Sequence, residues 1–335
     1  MLYLCDKKFY LKVIIISSFY LISFNSAWAT ANSDFPITIQ HAFGSTTIKD
    51  KPKRVATVAW ANHEVPLALG VVPVGFAAAN FGDDDGDGLL PWVAARLDEL
   101  DAKTPVLFDE GDGIDFEAVA STQPDIILAA YSGLSLSDYN TLSLIAPVIA
   151  YPNTPWSTDW REMIRINSTA LGMLDEGESL ITDIENDIHQ RVTQYPELIN
   201  KSAMFITHLD PTDLSVIRFY SANDTRVSFF DDLGLHSPDS VKKMSTHGKY
   251  SGESSIEKID DFNDVDIFVT YGNKQLLTPL TSNPLLSKMR AIKNGAVVLL
   301  GNSQIATAAN PTPLSITWML DDYLEALAEA ARKTK

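Results

Sequence analysis

The chain has a single cysteine, Cys5, in 335 residues, and it precedes the first apolar run. A lipid-bearing cysteine would follow such a run at its cleavage point, so no lipid anchor is expected. No disulfide can form downstream, and any domain must stand on its core alone. Positive charge is also scarce: 26 Lys and Arg face 43 Asp and Glu, for a net charge of −17. A chain this acidic repels nucleic acid and anionic lipid, and an anionic ligand would need a local basic pocket. Past residue 29 no apolar run approaches the roughly 20 residues that span a bilayer. The motifs of common enzymes are missing too. Ser251 is preceded by Lys249 and Tyr250, so Gly248 falls one place too far away for a G-x-S-x-G elbow. Neither a phosphate-cradling loop nor a dinucleotide fingerprint occurs. His63-Glu64 opens like a zinc-protease motif, but Leu67 stands where the second histidine belongs.

The amino terminus carries a different signal. Lys7, Lys8 and Lys12 precede an apolar stretch from Val13 to Phe24, and Ala27-Trp28-Ala29 supplies small residues where a signal peptidase reads. About a dozen apolar residues are too few for a membrane span. Residues 1–29 therefore read as a secretory signal peptide, cleaved after Ala29. Its removal leaves 306 residues with a net charge of −19, long for one core and comfortable for two lobes.

Short apolar runs recur at Val55–Ala59, Val74–Ala77, Ile126–Ala130, Val148–Tyr151, Met204–Thr207, Val216–Phe219, Val265–Thr270 and Ala296–Leu300. Helical patterns separate many of them, as at Leu90–Leu100, Phe116–Ser121 and Ser137–Ile145. Such alternation predicts an α/β fold with mostly parallel sheets. Between Trp160 and Tyr195 the alternation stops, and Leu180, Ile184, Ile188 and Val192 recur every fourth residue. That spacing predicts one long helix, from Asp175 to Tyr195. The expected architecture is an N-terminal α/β lobe over 30–172, a linking helix over 173–196 and a C-terminal α/β lobe over 197–335.

Several sequence blocks resemble the ferric-siderophore binding proteins of ABC importers, the class III binding proteins with two lobes joined by one helix. They are Pro36–Gly44 with Lys51–Ala56, Ile114–Glu117 with Pro124–Ala129, Pro155-Trp156 with Asp159–Met163, Asp231–Leu235, and Asn310–Trp318. The blocks run in order through nearly all of the mature chain. The resemblance implies a periplasmic, non-enzymatic protein, expected to be a monomer. It would hold an Fe(III)–siderophore complex in a shallow inter-lobe cleft and deliver it to a permease dimer in the inner membrane. No cofactor is implied. Cobalamin, haem or a metal ion on the same fold, and a secreted α/β hydrolase, are the competing readings.

Open α/β sheets bind ligands at the carboxyl ends of their strands. The residues found there are Trp60, Tyr131, Trp156 and Trp160 in the first lobe, and Arg218, Tyr220 and Tyr271 in the second, with Arg226 opening the next helical segment. Asn302 and Ser303 follow the last strand. Arg offers paired donors to iron-bound oxygens, and Tyr and Trp add broad contact with a polar tip. Arg161 and Arg226 could equally be surface ion pairs, and the aromatics ordinary core. His63 is a lesser candidate for a direct iron ligand. Asp83–Gly88 places acids at calcium-loop positions, but Ala94 stands where a bidentate Glu is needed, so a solvated turn is expected. The resemblance further implies one permease-docking acid per lobe: Asp138 in the first and Glu257, within Ser255-Ile256-Glu257, in the second.

Overall fold

The computed structural model describes residues 35–334. The signal-peptide reading and Cys5 lie outside them. A hairpin of β1 (Ile37–His41) and β2 (Gly44–Ile48) opens the chain. The first sheet follows: β3 (Val55–Thr57), β4 (Gly75–Ala77), β5 (Val106–Phe108), β6 (Ile126–Ala129) and β7 (Val148–Ala150). All are parallel, in the order β5-β4-β3-β6-β7. The second sheet comprises β8 (Ala203–Ile206), β9 (Val216–Tyr220), β10 (Ser251–Ser255), β11 (Ile267–Thr270) and β12 (Val297–Leu299), ordered β10-β9-β8-β11-β12. There β8, β11 and β12 are parallel, while β9 and β10 form an antiparallel edge.

Each apolar run read from the sequence overlaps a strand. The reason is visible in β6, β8 and β11, whose every residue is buried: a strand covered on both faces has no polar side to show. In both sheets the chain runs outward from a central strand and then crosses to its other side. The order therefore reverses between β3 and β6 in one sheet and between β8 and β11 in the other. Those reversal points open crevices at the strand ends, where open sheets take ligands.

The helix Leu174–Val192 lies between the sheets in sequence. Its buried stripe is Gly177, Ile181, Ile184 and Ile188, with Leu180 and Val192 partly buried at its margin. The expected every-fourth spacing is thus replaced by alternating steps of four and three, as a straight helix of 3.6 residues per turn requires. Gly177 lets this helix approach Trp160–Ala170, since a Cβ there would sit 2.6 Å from the Ser168 Cβ. The last helix, Pro313–Ala331, contacts the helices Glu64–Ala68 and Pro91–Glu99 as well as the linking helix. Buried Glu64 fixes that contact: its carboxylate accepts from Trp92 Nε1 at 2.8 Å and from the Leu314 N–H at 3.0 Å. One buried cluster accordingly runs from Val65, Tyr131 and Met163 to Phe205, Tyr271 and Leu320.

Candidate functional site

The two reversal points face one another across a cavity of about 290 Å³. On the first-sheet side the chain leaves β3 through Ala59, Trp60 and Ala61, with φ of 61° at Ala59 and 59° at Ala61. Left-handed backbone at two alanines is strained. The segment is held by buried Asn62, whose Nδ2 donates to the carbonyls of Val58 and Tyr131, both at 2.9 Å, while its Oδ1 accepts from the Tyr131 N–H at 3.0 Å. One side chain thereby ties the end of β3 to the end of β6. Trp156 meets the Tyr131 ring edge-on at 5.4 Å. It lies close over Gly133, where a Cβ would come within 2.4 Å of Trp156 Nε1.

The second-sheet side is built on Arg226, at the start of the helix Thr225–Asp232. Its Nε donates to Tyr271 Oη at 2.8 Å, and its Nη1 donates to Asp224 at 3.1 and 3.0 Å. The guanidinium carbon stands 4.3 Å over the Tyr220 ring. Its Nη2 makes no hydrogen bond among the described residues. Asp224 is buried, and burial raises its carboxyl pKa against the opposing pull of Arg226. His208, two residues past β8, stacks on Tyr271 at 4.6 Å and 14°. Burial and then the Arg226 charge lower its pKa, which favours the neutral ring. Phe81 closes the cavity edge-on against His208 and Tyr271. Positive Arg226 and negative Asp224 cancel, leaving an aromatic cavity with one directed cation and no net charge.

A second cavity, of about 400 Å³, adjoins the first and shares Trp60 and Trp156 with it. Its walls are chiefly alanine, leucine and Phe76, with Glu110, His63 and Asp138 among the lining residues. Burial pushes Glu110 up to about 7, opposed by the Ala59 N–H, which donates to both carboxylate oxygens at 3.2 and 3.0 Å. His63 stacks on Phe76 at 4.3 Å, and burial pushes it down to about 3.

Residues 55–303 match the family described as periplasmic binding protein. The chain belongs to that family. Its members are substrate-binding proteins, and the two-sheet architecture is theirs. The chain is 25% identical over 299 residues to "Probable siderophore-binding lipoprotein YfiY" of Bacillus subtilis (strain 168), covering 84% of this chain and 87% of that one. It is 24% identical over 310 residues to the ferric-anguibactin-binding protein FatB of Vibrio anguillarum, with 87% of each covered. Among solved structures, Streptococcus pneumoniae TIGR4 PiaA in complex with ferrichrome superposes with a TM-score of 0.86 at 44% identity, over 89% of this chain and 100% of that one.

In this binding protein the strand-end candidates divide. Trp60, Tyr131, Trp156, Tyr220, Arg226 and Tyr271 line one cavity. Trp160 and Arg218 do not. Trp160 is 2% exposed and donates from Nε1 to Asp232 at 3.1 Å, inside the helix packing. The Arg218 side chain is 65% exposed and sits 3.5 Å from Glu253, its cross-strand partner on β10. Arg218 is thus a surface ion pair, whereas Arg226, for which a surface pair was the alternative, belongs to a buried one. Asn302 and Ser303 are exposed beyond β12 and line neither cavity. Asp83, Asp85 and Asp87 lie close together on the surface, and Asp83 accepts from the Gly86 and Gly88 N–H groups, as a solvated turn does. Sequence reasoning missed Phe81, His208, Glu110 and Asn310. The last accepts from Thr225 Oγ1 at 2.7 Å and bonds the Tyr131 hydroxyl across the cavity floor. His208 directly follows the apolar run Met204–Thr207 and so stands at a strand end.

Proposed function

We propose that the chain is the periplasmic receptor of an ABC importer for a ferric siderophore, and that the ligand is of the hydroxamate type, with an uncharged iron head. The observation that carries the second step is the cancelled charge of the Arg226–Asp224 pair. Three singly charged hydroxamates neutralise Fe(III), whereas three doubly charged catecholates leave a trianion. A trianion in this cavity would meet one cation already matched by a buried carboxylate, inside a strongly acidic protein. A neutral head needs only donors for its oxygens and faces for its apolar body. Arg226 Nη2 and Tyr271 offer the first, and Trp60, Trp156, Tyr220 and Phe81 offer the second. The ferrichrome carried by PiaA, a relative at 44% identity, supports this choice. The two lobes are taken as 30–172 and 197–335 with the helical link at 173–196, and the protein as a soluble monomer after cleavage at Ala29. Iron is cargo here, enclosed by its own chelator, and neither His63 nor any other side chain is assigned as its ligand.

Delivery requires a permease dimer to read the loaded receptor. Glu257 is exposed at the start of the turn that follows β10, and we assign it as the docking acid of the second lobe. Asp138 is the counterpart in the first lobe, with a difference: its carboxylate also accepts from the Ser135 N–H and hydroxyl at 3.0 and 2.7 Å in a capping box.

The test is quenching of tryptophan fluorescence by purified mature protein titrated with ferric trishydroxamate, ferric tricatecholate and the iron-free chelators. Saturable quenching by the trishydroxamate alone is expected. Tighter binding of the tricatecholate would overturn the charge argument.

A further inference from the structure

The cavity beside Trp60 and Trp156 remains unassigned by the iron-binding reading. Its wall is apolar through Phe76, Leu89, Leu90, Ile114 and Leu134. No lysine or arginine lines it; its ionisable groups are Glu110, Asp138 and His63. These three are not equivalent. Asp138 is taken up by Ser135. His63 is 6% exposed, neutral through burial, and its Nδ1 is buried with no hydrogen-bond partner among the described residues. Glu110 receives a single N–H, from Ala59, and so keeps acceptor capacity that no protein donor fills. A buried histidine with an unpartnered nitrogen and a carboxyl short of donors, both lining one cavity, are polar groups left for a ligand to satisfy.

We propose that this cavity is a subsite for a protonated alkylamine arm of the siderophore, its methylenes along the apolar wall and its ammonium at Glu110. The inference rests on the reading that the adjoining cavity takes the ferric head. A carboxylate arm would meet acids without a cation. A purely apolar arm would strip water from Glu110 and return nothing. A cation reverses the burial cost that raises Glu110, because it favours the ionised carboxyl. The shared walls, Trp60 and Trp156, make head and arm positions continuous.

Two ferric trishydroxamates with the same iron head separate the possibilities: one ends its pendant arm in a free primary amine, the other in the N-acetylated amine. Dissociation constants are measured by tryptophan quenching in mildly alkaline buffer, where Glu110 is ionised and the amine protonated. In the native protein the free amine is expected to bind about tenfold tighter, the scale of one charge-assisted hydrogen bond. Glu110→Gln, which keeps an acceptor for Ala59, should bring the ratio close to one. Equal affinities in the native protein, or a preference that survives Glu110→Gln, would overturn the subsite. Failure of both complexes to bind would instead remove the ferric-siderophore reading beneath it.

Discussion

Arg226→Ala is the perturbation whose outcome follows most directly from the geometry. A surface arginine would leave stability nearly unchanged, since exposed pairs are worth roughly 0–1 kcal/mol. Here the side chains are 16% and 1% exposed for Arg226 and Asp224, respectively. Removing the guanidinium strands a buried carboxylate, a change that typically costs about 3–5 kcal/mol. Asp224 retains one donor, the Arg226 backbone N–H at 2.9 Å, which places the expected loss near the lower end, at about 3 kcal/mol. The loss should also depend on pH. Asp224 has its folded pKa raised by burial, and without Arg226 it rises further. An acid that holds its proton more tightly when folded destabilises the fold as pH rises through that range. The variant should therefore recover stability on mild acidification. Binding is a separate quantity. Loss of a charge-assisted contact to ligand oxygens should weaken affinity by about 1.5–3 kcal/mol, roughly ten- to a hundredfold. Arg226→Ala with Asp224→Asn separates the two effects, because the second change removes the stranded charge. Urea denaturation should show the double variant recovering most of the lost stability, while tryptophan quenching shows it still binding weakly. Native-like affinity in the double variant would make Arg226 purely structural. Native-like stability in the single variant would refute the buried pair.

Lobe closure on binding should be a few degrees rather than tens, since the linking helix is joined by further ties: Arg161 bidentate on Asp232 at 3.0 and 2.8 Å, Glu64 on Leu314 N–H, and Tyr131 on Asn310. Crystal structures with and without ligand check this, and a large rigid-body rotation would contradict it. Glu110, with a carboxyl moved from 4.5 to about 7, binds its proton more tightly when folded, so it costs stability increasingly as pH rises through that window. Glu110→Gln should remove that slope and stabilise the free protein above neutrality by about 1–3 kcal/mol; parallel denaturation curves across pH for both proteins would refute it. Glu257→Ala, and more so its combination with Asp138→Ala, should leave ligand affinity intact in the first case and impair siderophore-dependent uptake in both, because exposed charges tune docking more than folding. Normal uptake at native expression would withdraw the docking assignment.

Much of the fold is legible in the sequence because buried parallel strands cannot hide. Val148–Tyr151 and Val265–Thr270 have one reading only, as runs bounded by turns. The strands that escaped are those whose stability comes from neighbours. In β10, Ser251–Ser255, only Ser254 is buried; the strand exists because β9 presents an edge. Gly252 is needed there because a Cβ would meet the Phe219 ring at 2.8 Å. In β5, Val106 is 47% exposed at the sheet border, and three residues carry too little pattern to be seen. For the site, the strand-end rule found the region but not the direction of each side chain. Arg218 lies in β9 with an exposed side chain, and the rule has no means of separating it from Tyr220 at the strand's end. Trp160 opens a helix whose first turn packs inward onto Asp232, a contact set by a residue 72 positions away.

The strained segments explain why the site nevertheless falls where the rule puts it. A strand could continue past Thr57 or turn gradually into the helix at Glu64. Instead the chain adopts left-handed backbone at Ala59 and Ala61, and again at Trp156, with φ of 59°. None of the three is glycine, the residue such conformations favour. The two alanine methyls repay none of this local cost, of order 1 kcal/mol or more each. The compensation comes from groups around them: Asn62 to Val58 and Tyr131, Glu110 to the Ala59 N–H, and the Ser132 carbonyl to the Trp156 N–H at 3.0 Å. The effect is to turn Trp60 out of the sheet's own core and onto the boundary between the two cavities, opposite Trp156. There the ring lines both cavities, while its Nε1 is buried without a hydrogen-bond partner. Strain at three positions bordering a cavity, with Ala59 and Trp156 held by hydrogen bonds from elsewhere in the chain and Ala61 through its neighbour Asn62, is what a binding surface demands of a scaffold that packing alone would have closed.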